Sequence, residues 1–90
     1  MPSYLVETYL SRSSTGEPAA SERRARSAAE ALTREHTSVS FERSIHVPDD
    51  EICFFVFRAG SSQDAALAAE RAELEPIRVV EAVSSGEESS

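Results

Sequence analysis

The sequence of 90 residues contains no lysine, no tryptophan, only three glycines and a single cysteine. One cysteine excludes an intrachain disulfide and every paired-cysteine metal or redox motif. Three glycines that recur at no motif spacing exclude a phosphate-binding loop. All nine cations are arginine, and sixteen acidic residues outnumber them to give a net charge of −7. This balance argues against a nucleic acid partner, because phosphate binding requires clustered basic side chains.

Long apolar runs are also missing. None approaches the roughly 20 residues that a membrane-spanning helix needs, and the N-terminus lacks the basic and apolar regions of a signal peptide. We therefore expect no membrane partner and a cytoplasmic location. The apolar content of 40% and charged content of 28% are typical of a soluble globular protein. We assign residues 1–83 to one domain and expect residues 84–90, which are acidic and serine-rich, to form a disordered tail.

The spacing of apolar residues predicts six elements in the order strand, helix, strand, strand, helix, strand. The predicted strands cover residues 4–10, 39–47, 52–57 and 77–83. The first helix should run from Pro18 to about Glu35, and the second should begin at Ser61 or Ser62. This order is that of the ferredoxin-like βαββαβ fold. We therefore predict an α+β architecture, in which two helices cover one face of a four-stranded antiparallel sheet.

The predicted strand from Ile52 to Phe57 is apolar at every position. Successive side chains of a strand point to opposite faces of its sheet, so both faces of this strand need cover. We expect the helices to cover the side chains of Ile52, Phe54 and Val56. A second subunit is expected to cover the alternate set, Cys53, Phe55 and Phe57, together with Leu5 and Tyr9 of the first strand. The pattern thus predicts a homodimer formed through the open sheet face.

One group of candidate ligands follows from the hairpin between the second and third strands. If Asp49 and Asp50 form its tip, His46 lies opposite Cys53, and the same register sets Ser44, Val47 and Glu42 opposite Phe55, Ile52 and Phe57. Glu7 is expected on the same open face. Imidazole, thiolate and carboxylate together suit a divalent metal such as Ni²⁺ or Zn²⁺. The structural alternatives are a buried hydrophobic role for Cys53, a hydrogen-bonded edge position for His46, and an arginine partner for Glu7.

His36 is a separate surface candidate for metal binding, because it follows Glu35 at the end of the first predicted helix. Its alternative role is a favourable interaction with the C-terminal end of the helix dipole. Nucleophilic catalysis has little support, since no serine lies in a G-x-S-x-G motif.

Three stretches carry a resemblance to a known family: residues 4–7 (YLVE), residues 43–54 (RSIHVPDDEICF) and residues 69–79 (AERAELEPIRV). Together they resemble a family of small actinobacterial proteins, most of which are known as a domain of unknown function. Its best-described members are nickel-binding proteins with a ferredoxin-like fold and a dimeric state. The resemblance extends from about residue 2 to residue 83.

The resemblance implies metal binding at the dimer surface and a role in nickel sequestration or tolerance. Glu7, Asp50 and Cys53 stand at positions that match the family pattern. Two residues depart from it: His46 occupies a position where we expect an aromatic residue, and Glu73 one where we expect glycine.

Two functions follow as hypotheses, and a third possibility is a purely structural interaction module, which predicts neither metal uptake nor a cavity. The first is a dimeric, non-catalytic protein that binds nickel or a similar divalent ion, with His46, Glu7 and Cys53 as one ligand cluster and His36 apart from it. The alternative is an enzyme or small-ligand binder of the dimeric α+β barrel kind, similar to cofactor-independent monooxygenases or isomerases. That alternative predicts a ligand-sized cavity with Glu7 at its wall.

Overall fold

Four strands and two helices form the described part of the chain. A computed structural model describes residues 1–10 and 17–83, so residues 11–16 and the predicted tail at 84–90 lie outside it. The elements are β1 (Ser3–Tyr9), α1 (Glu17–Arg34), β2 (Val39–Val47), a one-turn 3₁₀ helix (Pro48–Asp50), β3 (Ile52–Ala59), α2 (Ser62–Arg71) and β4 (Arg78–Ala82). The strands form one antiparallel sheet in the order β2-β3-β1-β4. The predicted ferredoxin-like α+β fold is confirmed.

Both helices pack through stripes of small residues. In α1 the buried stripe consists of Ala25, Ala28, Ala29 and Leu32, and in α2 it consists of Ala65, Ala68 and Ala69. Small side chains let a helix approach its neighbours closely, while the sheet supplies the bulk of the core with aromatic residues. Ser61 caps α2 as predicted, because its Oγ accepts a hydrogen bond from the backbone N–H of Asp64 at 3.2 Å.

Polar contacts join the two helices. The Nε of Arg24 on α1 donates to the carbonyl oxygen of Ala72, just after α2, at 2.9 Å. The two terminal nitrogens of Arg71 donate to the two carboxylate oxygens of Glu35, each at 2.8 Å. The C-terminal end of α2 is therefore held to α1 at two places.

The faces of β3 are the reverse of those predicted. Phe55 lies opposite Val6 of β1, and Phe57 lies opposite Tyr4. All four of these residues belong to the core beneath the helices, together with Cys53. The set formed by Ile52, Phe54 and Val56 therefore points away from the helices. The sequence-based assignment was wrong because a strand that is apolar throughout has no alternation to mark its buried face.

A β-bulge at Glu42 changes the faces of β2. Phe41 lies opposite Phe57, whereas Arg43 lies opposite Val56, so Glu42 is the extra residue. The predicted pairing of Glu42 with Phe57 is therefore wrong.

Beyond the bulge the predicted hairpin register is confirmed: Ser44 pairs with Phe55, His46 with Cys53 and Val47 with Ile52. The extra residue has a further consequence, since it moves Ile45 and Val47 to the face opposite that of Val39 and Phe41. In a strand without a bulge, the spacing of these four residues would place their side chains on one face.

Candidate functional site

The sheet face that points away from the helices, here called the open face, is largely apolar. Its apolar residues are Leu5, Tyr9, Ile45, Val47, Ile52, Phe54, Val56 and Val80. No element within residues 1–10 and 17–83 packs over it. Tyr9 remains 64% exposed and Ile45 38%. Antiparallel sheets commonly expose one face to water, but such a face usually carries polar side chains. An apolar face of this kind indicates an interaction surface.

Glu7 lies in the middle of the open face. It sits between its register partners, Phe54 on β3 and Arg78 on β4. Arg78 Nε donates a hydrogen bond to Glu7 Oε1 at 2.7 Å, and the Glu7 side chain is only 13% exposed. The carboxylate thus has the arginine partner that we considered as the alternative to a metal.

His46 and Cys53 are cross-strand neighbours, as predicted, but they lie on the helix side of the sheet. Cys53 is 1% exposed, whereas His46 is exposed near the end of β2. Burial, with a smaller contribution from the negative charge of Glu22, raises the pKa of the Cys53 thiol to about 11. The thiol is therefore protonated at neutral pH, and metal binding there would have to displace its proton. Glu7, on the opposite face, does not join this pair.

His36 lies apart from the other candidates. It lies two residues after the end of α1, with a left-handed backbone (φ 75°), and precedes β2, whereas His46 lies near the other end of that strand. Its neighbour Glu35 is already engaged, because Arg71 contacts both carboxylate oxygens and lowers the pKa of Glu35 through this hydrogen bonding. The four candidate ligands therefore occupy three separate places. Within the described ranges, no three His, Cys, Asp or Glu side chains come together as a metal-binding group.

A small cavity between the sheet and the helices, here called the polar cavity, has a volume of about 110 Å³. Its polar lining comes from Thr8, Ser21, Arg24, Cys53, Glu73 and Glu75, and its apolar lining includes Leu10, Phe55 and Leu74. The sequence analysis did not identify this cavity.

No family model, curated protein or solved structure matches this chain. Neither helix in the described ranges has the length and apolarity that crossing a membrane requires.

Proposed function

We propose that the protein is a non-catalytic homodimer, formed through the open face, that binds a divalent metal ion. The observation that carries the proposal is the open face itself, which presents apolar residues from all four strands and has Glu7 on the central strand β1, paired with Arg78 of the edge strand β4. A second copy could cover this face in a two-fold, sheet-to-sheet arrangement. The two copies would then bury their aromatic and branched side chains against one another.

Nickel is the ion proposed, on the basis of the family resemblance. The structure supports this part of the proposal through the neighbouring side chains of His46 and Cys53, since imidazole and thiolate are both ligands of borderline transition metals. Two ligands are fewer than the three protein ligands typical of an open metal site. The remaining positions would therefore need water, because the proposed second subunit covers the opposite face of the sheet.

The dimer is tested by sedimentation equilibrium of Phe54→Asp, which introduces a charge on the open face. The matched control is Leu67→Asp, because Leu67 is similarly apolar but lies exposed on α2 (37%). We expect a dimer for the unmodified chain and for Leu67→Asp, and a monomer for Phe54→Asp. A monomeric unmodified chain, or a dimer that Phe54→Asp leaves intact, would overturn the proposed interface.

The metal site is tested by Ni²⁺ titration calorimetry on protein prepared without an affinity tag. We expect His46→Ala and Cys53→Ala to weaken binding, and His36→Ala, the matched histidine control, to leave it unchanged. If the thiolate is a ligand, affinity should also rise with pH, because binding releases the thiol proton. Unchanged binding in His46→Ala would remove that residue from the site, and no uptake by the unmodified chain would refute metal binding.

The enzyme alternative required a cavity with Glu7 at its wall. The polar cavity is bounded by Thr8, the next residue along β1, whereas Glu7 lies on the other side of the sheet. No specific observation therefore favours acid–base catalysis by Glu7.

A further inference from the structure

Within residues 1–10 and 17–83, the strand register places three arginines on the open face, and two of them are paired with carboxylates. Arg78 donates a hydrogen bond to Glu7 at 2.7 Å. Arg58 lies opposite Ser3. Its Nε is 3.7 Å from Oε1 of Glu42, which also accepts a hydrogen bond from Ser3 Oγ at 3.0 Å. The positive charges of Arg78 and Arg58 are therefore compensated within the single chain.

Arg43 is the third arginine of the open face, and its charge is not compensated. It lies opposite Val56 of β3, and the same row of side chains continues through Leu5 of β1 to Val80 of β4. Among the described residues, no ion pair or hydrogen bond joins the exposed Arg43 guanidinium to another side chain. Arg43 thus places an unpaired positive charge at the end of an otherwise apolar row.

A cavity on the open face lies beside this charge. Arg43 and Arg58 both belong to its lining, and two carboxylates line it as well. Glu42 is already engaged by Arg58, as described above, and Glu81 has the core residue Tyr4 as its register partner, which assigns it to the helix side of the sheet. Arg43 therefore borders a cavity in which no carboxylate of its own chain pairs with it.

We infer that each subunit of the proposed dimer takes up one oxyanion, a phosphate or a carboxylate, at Arg43. This inference rests on the proposed dimer, because an exposed arginine needs no partner while water solvates it. A second copy on the open face would remove that water, and a buried charge without a partner is strongly unfavourable. The planar guanidinium group matches the oxygen atoms of phosphate and carboxylate groups and binds them through strong hydrogen bonds. Dimer formation and anion binding should therefore be coupled.

The test is the association constant of the full chain, measured by sedimentation equilibrium in phosphate and in chloride at equal pH and ionic strength. We expect association to be about tenfold stronger or more in phosphate, because a ligand that binds only the dimer stabilises the dimer. An association constant that phosphate does not change would overturn the inference and leave the proposed dimer intact. A chain that is monomeric in both salts would overturn the dimer and the inference together.

Arg43→Gln separates the charge at the interface from the net charge of the chain. The substitution removes a cation from a chain that already carries −7, so repulsion between whole chains would weaken the dimer at low salt. If the unpaired charge at the interface dominates, Arg43→Gln should instead strengthen the dimer in chloride and remove the effect of phosphate.

The matched control is Arg23→Gln, since Arg23 is an exposed arginine of α1 and the change in net charge is the same. We expect this variant to keep the full effect of phosphate. A weaker dimer for Arg43→Gln than for Arg23→Gln in chloride would overturn the inference, because Arg43 would then be paired with a carboxylate of the partner subunit and not with an anion from solution.

Discussion

Glu7 and Arg78 join two neighbouring strands on the open face, with Glu7 Oε1 2.7 Å from Arg78 Nε. In the single chain the pair is asymmetric, because the Arg78 side chain is 65% exposed and that of Glu7 only 13%. A second subunit on the open face would remove the remaining water from both. The energetic contribution of this ion pair therefore depends on whether the face is covered.

Arg78→Met is expected to weaken the dimer. Removing one partner of a buried ion pair leaves an uncompensated charge and costs about 3–5 kcal/mol, whereas an exposed pair contributes about 1 kcal/mol or less. Urea unfolding at several protein concentrations measures the difference. Arg71→Met is the matched control, since it breaks the exposed pair with Glu35 on the helix side and should leave dimerisation unchanged. If both substitutions lower the free energy of unfolding by the same small amount, Glu7 stays in contact with water.

Phe54 and Phe55 are adjacent in sequence but have different roles. Phe55 is 3% exposed in the core, so Phe55→Ala should lower the free energy of unfolding by about 3–5 kcal/mol. Phe54 lies half-buried on the open face, and Phe54→Ala should mainly reduce the association of subunits. Unfolding at low protein concentration, where the dimer dissociates, separates the two effects. A larger loss for Phe54→Ala under those conditions would contradict the observed faces of β3.

The element order and the hairpin register were predictable because turn residues and apolar periodicity are local signals. The buried face of β3 was not predictable, because residues Ile52–Phe57 are all apolar and show no alternation. Only the pairing of β3 with β1 determines which of its side chains face the helices. The bulge at Glu42 was not predicted either, although the charged Arg43 interrupts the apolar alternation of β2 there, and the bulge moved Ile45 to the open face. A register shift of one residue moves every side chain beyond it to the opposite face of the sheet. The cluster of Glu7 with Cys53 failed because the face of β3 was misassigned: Cys53 lies opposite Thr8, on the helix side, whereas Glu7 lies on the open face.

In the candidate site, too, only neighbours that are close in the sequence could be predicted. The neighbours His46 and Cys53 followed from one hairpin, so sequence alone could place them together. The polar cavity instead draws Thr8 from β1, Ser21 and Arg24 from α1, and Glu73 from the segment after α2. No local pattern connects these positions, because only the packing of the helices on the sheet brings them to one place.

Glu73→Gly is expected to stabilise the protein. A left-handed backbone costs a residue with a side chain roughly 1–2 kcal/mol, and the greater freedom of glycine in the unfolded chain offsets part of the gain. We therefore expect a net gain of about 0.5–1 kcal/mol in the free energy of unfolding, measured with urea. Glu70→Gly is the control, since the same change within α2 should destabilise by about 1 kcal/mol. Loss of stability in both variants would show that Glu73 makes contacts that outweigh its conformational cost.

Cys53 should make stability depend on pH in the alkaline range. Its pKa is raised from 9.0 to about 11 in the folded protein. Below pH 9 the folded and unfolded states both hold the proton, so the stability contribution is fully present. As pH rises from 9 to 11 the unfolded thiol ionises first, which favours unfolding. The free energy of unfolding should therefore fall by about 2–3 kcal/mol, because a pKa shift of one unit corresponds to about 1.36 kcal/mol.

The matched variant for this measurement is Cys53→Ala, studied with a chelator so that no metal competes for the thiol. Tyr4, Tyr9 and the other titrating groups are common to both proteins, so the difference between their urea unfolding curves isolates the thiol. Cys53→Ala creates a small cavity and should be less stable below pH 9. Its stability should nevertheless fall less steeply towards pH 11, so that the two curves converge. Parallel curves would mean that the thiol ionises equally readily in the folded and unfolded chains, which is incompatible with its burial between the sheet and the helices.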